Sequence, residues 1–215
     1  MIPKIKNRLI MFVKEPKLGF VKTRLAKQTS DEFALALYEN FIKDLMQTVE
    51  GFDCALYVHP NKNAFSFDAT FLQKGDDLGA KMSNAFKEEF AKGYEKIVLI
   101  GSDTPHLSTD LLNKSFESLS THEMVLGPSL DGGYYLIGFT KKGFNETVFE
   151  NITWSSEVVL EQTLQTVNKK ALYLLMYMND IDTKEDLDQF YVSYKNQWKN
   201  SHTIQFLKAK DYGKV

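Results

Sequence analysis

Four short stretches of this chain group residues that can handle phosphate and a divalent cation. The first, Lys14 to Arg24, reads K-E-P-K-L-G-F-V-K-T-R and carries cations at Lys14, Lys17, Lys22 and Arg24. Such a loop can wrap a phosphate chain with backbone N–H groups, while Lys22 and Arg24 offset its charge. Arg24 can do so in a two-pronged contact. It is not a Walker A loop, because Pro16 and Val21 stand where glycines are required before Lys-Thr. Its bland alternative is a solvated basic turn. The second stretch, Gly101-Ser102-Asp103-Thr104-Pro105, follows the apolar run Ile97-Val98-Leu99-Ile100. A carboxylate at the end of a buried strand is well placed to hold Mg²⁺ or Mn²⁺ against a diphosphate, since those ions take oxygen ligands and retain water. Equally, Asp103 could merely bond a turn.

The third stretch is Gly127-Pro128-Ser129-Leu130-Asp131-Gly132-Gly133-Tyr134-Tyr135. Gly132 and Gly133 would let backbone approach a ligand closely, and Asp131 could act as a base or accept from a sugar hydroxyl. The competing reading is a turn in which Asp-Gly supplies positive φ. A serine-hydrolase elbow fails because Asp131 takes the place of its last glycine. In the fourth, Asp180-Ile181-Asp182-Thr183-Lys184-Glu185-Asp186-Leu187, alternating carboxylates could add a metal contact, or Asp182 with Glu185 could form a capping box. Trp154, followed by Ser155 and Ser156, offers an aromatic face to a base or sugar, or a core or lid residue. No pair of histidines has zinc-site spacing, and only His106 lies beside a candidate site.

These turns need elements to hold them. The chain has 215 residues, 43% hydrophobic and 25% charged, which suits one domain over 1–215 with a real core. With 26 Lys+Arg against 28 Asp+Glu, a broad nucleic-acid surface is not expected, although a local anion site is. One cysteine, Cys54, allows neither an internal disulfide nor a cysteine metal cluster. The apolar run Leu9–Val13 is too short for a membrane span or signal core, so the expectation is a soluble, cytoplasmic protein. Strands are expected at 9–13, 55–58, 70–73, 97–100, 124–126, 134–139 and 172–176. Helices are expected from Ser30 or Asp31 to Glu50, over 78–90, from Ser108 to Leu119, from Ser155 or Ser156 to Val167, and after Asp182 or Thr183. Phe33, Leu37, Phe41, Leu45 and Val49 form one helical stripe. Alternating strands and helices imply an α/β fold, a Rossmann-like three-layer sandwich with a mostly parallel sheet covered on both faces. Ligands in such sheets sit outside the carboxyl ends of the strands, where the polar turns fall.

Taken in order, the motifs resemble a bacterial family of uncharacterised proteins with the glycosyltransferase-A fold, some of whose members bear the name arsenosugar-biosynthesis glycosyltransferase. The resemblance runs from Leu9 to Leu187. It rests on F-V-K-E-P-K-L-G-F-V-K-T-R-L at 12–25, Q-K-G-D-D-L-G at 73–79, G-S-D-T-P-H-L at 101–107, G-P-S-L-D-G-G-Y-Y-L-I-G at 127–138, W-S-S-E-V-V-L at 154–160 and D-I-D-T-K-E-D-L at 180–187. By that resemblance, the loop bearing Lys14, Gly19, Lys22, Thr23 and Arg24 takes the nucleotide or its phosphates, with Ser102, Gly132, Gly133 and Trp154 around it. Asp103 binds Mg²⁺ or Mn²⁺, and Asp182 completes the metal site. Lys22, Arg24 and Asp131 are the expected catalytic residues. Three departures stand out: the first loop lacks the Gly-Gly and Arg-Met-Gly pattern of ordinary nucleotidyltransferases, the 101–105 motif holds one Asp rather than DxD, and Lys81 replaces an expected Arg. The leading expectation is a metal-dependent glycosyltransferase that moves sugar from a nucleotide-sugar to a small-molecule acceptor. The alternatives are nucleotidyl transfer from a nucleoside triphosphate to a phosphorylated acceptor, or a nucleotide-binding module without turnover. No membrane or nucleic-acid partner is expected.

Overall fold

The computed structural model describes residues 6–213. Seven strands form one sheet: β1 (Asn7–Lys14), β2 (Cys54–His59), β3 (Thr70–Leu72), β4 (Lys96–Ile100), β5 (Met124–Pro128), β6 (Tyr134–Thr140) and β7 (Leu172–Leu174). Their order is β3-β2-β1-β4-β6-β5-β7. All neighbours are parallel except β6, which runs antiparallel to both β4 and β5. The tight Asp131-Gly132-Gly133 connection forces that reversal, because a parallel crossover needs a dozen or more residues.

Helices cover both faces. They are α1 (Thr23–Ala26), α2 (Asp31–Thr48), α3 (Leu78–Ala91), α4 (Thr109–Ser118), α5 (Val159–Thr166), α6 (Lys184–Tyr194) and α7 (His202–Ala209). Alternate residues of β1 feed opposite cores, as a period-two backbone requires. Leu9, Met11 and Val13 pack with Tyr38, Ile42 and Leu45 of α2 and with Leu112 and Phe116 of α4. Ile10 and Phe12 pack with Met82, Phe86 and Phe90 of α3 and with Leu160 and Leu164 of α5. The expected three-layer architecture is therefore observed, with β6 as the antiparallel exception.

A third core lies outside the sandwich. Leu25, Leu37 and Phe41 meet Ile181, Leu187, Phe190, Ile204 and Leu207. It binds the first loop to the 180–187 motif, 160 residues away in sequence. The tail beyond Trp198, which carried no clear pattern, contributes α7 to this core. Buried Asp44 of α2 caps α7, accepting from His202 N at 2.6 Å and Thr203 N at 2.9 Å. These are two of the four N–H groups a helix start leaves unbonded.

Several boundaries differ from expectation. The late strand ends at Leu174 rather than Met176, and α5 begins at Val159 rather than at Ser155 or Ser156. Ser155 sits at φ 63, in the left-handed region, so the Trp154-Ser155-Ser156 stretch turns before the helix starts. The cap of α6 is Thr183 with Asp186, not Asp182 with Glu185. Thr183 N donates to Asp186 Oδ2 at 2.8 Å, and Asp186 N donates back to Thr183 Oγ1 at 3.2 Å. The Asp182 carboxylate is consequently released from capping. Among the described residues, no helix is long and apolar enough to cross a membrane.

Replacing Asp44 by Ala should cost about 1–3 kcal/mol, since two buried N–H groups lose their acceptor. Urea denaturation of the D44A variant checks this, with a lowered midpoint at unchanged slope as the expected result.

Candidate active site

At the carboxyl ends of β1 and β4 the chain opens a cleft of about 730 Å³. This is within the usual range for small-molecule sites. Tyr38 joins the two strand ends beneath it. Its hydroxyl accepts from Lys14 N at 2.8 Å, donates to Lys14 O at 3.2 Å and lies 3.3 Å from Ser102 Oγ. Burial pushes the Tyr38 phenol up to about 12, so it stays a neutral hydroxyl that ties the loops together.

The decisive contact lies at one end of this cleft. Lys22 directs its ammonium between two carboxylates, in direct contact with Asp103 and 2.9 Å from Asp182 Oδ1. Only 3% of the Lys22 side chain is exposed, against 46% for Asp103 and 37% for Asp182. Burial alone would lower the Lys22 pKa, but the charges of Asp103 and Asp182 outweigh it and hold the amine above the ordinary lysine value. In return, Lys22 holds the Asp182 carboxyl below its usual range, with Arg24 and Lys14 adding smaller effects. Arg24 is mostly exposed and stands 3.8 Å from Asp182. Lys22 also has a left-handed backbone, φ 49 and ψ 42, at the cap of α1. A non-glycine residue in that region costs of order 1–3 kcal/mol and persists where surrounding contacts over-determine it. Here the two ion pairs do so.

The four predicted turns thus meet, although the residues within them divide. Lys14, Arg24, Ser102, Asp103, Asp131, Gly133, Trp154 and Asp182 line the cleft. Gly19, Thr23 and Gly132 are not among its lining residues, and neither is the buried Lys22, which meets the cleft through its carboxylate partners Asp103 and Asp182. Gly19, at φ 71, shapes the first loop, and Thr23 opens α1. Gly132 has φ 87, and a Cβ there would fall 2.0 Å from Glu157 O. Its carbonyl accepts from Leu160 N at 2.8 Å, which pins the third turn to α5. Asp131 is exposed, and its Oδ1 accepts from Gly133 N at 2.9 Å. Trp154 packs over the first turn of α3 because Gly79 has no side chain; a Cβ there would lie 2.6 Å from Trp154 Cζ2. His106 turns away into aromatic packing against Phe190, Tyr194 and Trp198.

Asp180, one of the two alternating carboxylates of the fourth stretch, was not among the residues the resemblance placed at the metal, yet it belongs to the site. It lines the cleft and accepts from Thr104 Oγ1. Burial, then the charge of Asp103, raises its carboxyl to about 7 despite that hydrogen bond, with Asp131 contributing further. The alternation of the D-I-D triplet was the available signal: Asp180 and Asp182 face the cleft while Ile181 is fully buried.

The carboxylates present hard oxygen donors, which suit Mg²⁺ or Mn²⁺. Among the described residues, no three His, Cys, Asp or Glu side chains converge closely enough to hold an ion alone. Asp103 and Asp182 nevertheless share a single ammonium, so one lysine charge faces two carboxylates there. The arrangement fits an ion held by one or two carboxylates, with phosphate and water completing its shell.

Residues 45–156 match the model of a family described as uncharacterized protein conserved in bacteria, DUF2064. The chain belongs to this family. A crystal structure from Desulfovibrio desulfuricans G20, provisionally named a nucleotide-diphospho-sugar transferase, is 33% identical and superposes over 95% of both chains with a TM-score of 0.89. The 2-phospho-L-lactate guanylyltransferase of Methanocaldococcus vulcanius is 25% identical, over 94% of this chain and 90% of that one. The manganese complex of Rv0371c from Mycobacterium tuberculosis H37Rv shares the fold at 17% identity and a TM-score of 0.51, over 88% of this chain and 100% of that one. The expected family and fold are borne out: this DUF2064 chain has the α/β fold of the Desulfovibrio protein.

An Asp180→Asn variant should be more stable than the parent at pH 8 and nearly equal to it at pH 4. An unfolded carboxyl ionises near its ordinary value, whereas the native one holds its proton to about 7. The native state therefore binds more protons between those values, and its stability falls as pH rises through that window. Denaturant titrations in EDTA should show a gain of about 3–4 kcal/mol at pH 8.

Proposed function

We propose that this chain is a nucleotidyltransferase that moves a nucleoside monophosphate from a nucleoside triphosphate to a phosphorylated small-molecule acceptor. The observation that carries this reading is the Lys22 ammonium shared by Asp103 and Asp182 at the edge of the cleft. It ties the two carboxylates into one rigid cluster with negative charge to spare, against which a metal-bound triphosphate can be aligned. The guanylyltransferase name of the Methanocaldococcus relative supports nucleotidyl transfer over the sugar transfer expected from motifs alone.

In this reading a phosphate oxygen of the acceptor attacks the α-phosphorus. The α–β bridging P–O bond breaks, its electron pair leaves with pyrophosphate, and a new diphosphate linkage forms. A phosphate monoester is largely dianionic at pH 7, so the nucleophile needs no base. Asp131 accordingly has an orienting role rather than the proton-removing role a sugar hydroxyl would demand. The remaining task is alignment and charge compensation, as in phosphoryl transfer generally. Lys22 positions Asp103 and Asp182, and Arg24 adds positive charge at the mouth. Mg²⁺ or Mn²⁺ held by Asp103, with Asp182 or Asp180, would neutralise phosphate oxygens.

Pyrophosphate release provides the test. Each of the four common nucleoside triphosphates is incubated with Mg²⁺ or Mn²⁺ and phosphorylated acceptors, 2-phospho-L-lactate and sugar phosphates among them. At least one pair should release pyrophosphate, and Asp103→Asn should lower kcat by about 10²–10³-fold. No pyrophosphate from any pair, together with nucleoside diphosphate released from a nucleotide-sugar, would reject this reading for sugar transfer.

A further inference from the structure

The Q-K-G-D-D-L-G motif at 73–79, which seats Trp154 at Gly79, also shapes the cleft through Gln73, Gly75, Asp77 and Leu78. The Gln73 amide donates through Nε2 to Val13 O at 3.1 Å and to Tyr57 O at 2.8 Å. It thereby stitches β1 to β2 just before their carboxyl ends. Lys14 and His59 are direct neighbours in that pairing. Gly75, at φ 142, lies against the first turn of α3, where a Cβ would fall 2.7 Å from Lys81 N. Asp77 caps α3, accepting from Ala80 N at 2.7 Å. The motif brings the first turn of α3, with Lys81, to the strand ends that carry Lys14 and His59. All three residues line the cleft.

This end of the cleft is basic and under-compensated. Among the described residues, neither Lys14 nor Lys81 forms an ion pair, whereas Lys22 is shared by two carboxylates. The Lys14 charge reaches Asp182 only as a minor influence. Glu15 accepts from Asn61 Nδ2 and Asp77 caps its helix, so neither carboxylate is ion-paired to these lysines, and Glu157 is the further acid of the cleft lining. Burial, then the charges of Lys81 and Lys14, lowers the His59 pKa, which places both lysines within electrostatic reach of one imidazole. Converging like charges are unfavourable unless an anion answers them. The positive end of the α3 dipole adds to the same field.

We propose that Lys14, His59 and Lys81 form a subsite for the terminal phosphates of the triphosphate, the pair that departs as pyrophosphate. The inference rests on the nucleotidyl-transfer reading and assigns the polyphosphate to a different set of cations from Lys22 and Arg24. Lys22 is already neutralised by Asp103 and Asp182, so its share in holding the tail is small. Lys14 and Lys81 have their charge to give.

Calorimetric titration of inorganic pyrophosphate in EDTA buffer tests the subsite directly. Lys81→Met and Lys14→Gln should each weaken pyrophosphate binding about tenfold, the usual scale of one charge-assisted contact. Lys81→Arg should restore binding to within about threefold, and the affinity of nucleoside monophosphates should stay within about twofold throughout. Unchanged pyrophosphate affinity in the K14Q/K81M double variant would overturn the subsite, as would an equal loss for monophosphates or no binding by the parent protein. Far-UV spectra should match the parent for every variant, because both lysines lie outside the core. A parent that binds pyrophosphate through these lysines but releases none from any triphosphate would retain the subsite and remove the nucleotidyl-transfer reading.

Discussion

A single buried ammonium organises this end of the molecule. Lys22 holds Asp103, at the end of a central strand, and Asp182, just ahead of α6, in one cluster. Removing either carboxylate leaves the buried ammonium with one partner, a loss that the solvent exposure of Asp103 and Asp182 moderates. The cluster therefore makes the first loop, the β4 turn and the 180–187 segment depend on each other. The backbone accepts a left-handed residue at Lys22 to achieve it. The third hydrophobic core, built by Leu25, Phe41, Ile181 and Leu187, keeps those segments adjacent.

Charge is unevenly distributed along the cleft that this cluster borders. Asp103 and Asp182 gather on one buried lysine with Asp180 under the charge of Asp103 and Asp131, while Lys14 and Lys81 bring their charges to His59. A substrate combining a metal-bridged phosphate with further anionic groups matches such a gradient. Low-dielectric walls strengthen the match, since Phe12, Met82, Leu99 and Ile137 form part of the lining. Near-zero net charge conceals this polarity, because 26 cations and 28 anions nearly cancel over the chain.

Much of the fold was legible in local pattern. The run Leu9–Val13 reads as a buried strand because both faces of β1 are covered. Ser30 and Ser108 announce helices by residue type, and each does accept from the N–H three residues on. The antiparallel β6 was only partly legible: Asp-Gly-Gly signals a tight turn, while the insertion of β6 between β4 and β5 depends on long-range pairing. Helix α7 was not legible, since its stability comes from burial of Ile204 and Leu207 and from the distant Asp44 cap. The choice between Asp182 and Thr183 as cap could not be made from spacing, because both types serve there.

Residue identities and their order determined which chemistry is available: cations in the first loop, a carboxylate after the central strand, a glycine-rich third turn and paired late carboxylates. They did so because turn residues and strand ends are local properties. Tertiary structure decided which of those groups neutralise one another and which remain available. It committed Lys22 to Asp103 and Asp182, brought Asp180 under the influence of Asp103, and joined Lys14, His59 and Lys81 at one rim. Coulomb interactions depend on separation and burial, and neither quantity is written in the sequence of a single segment.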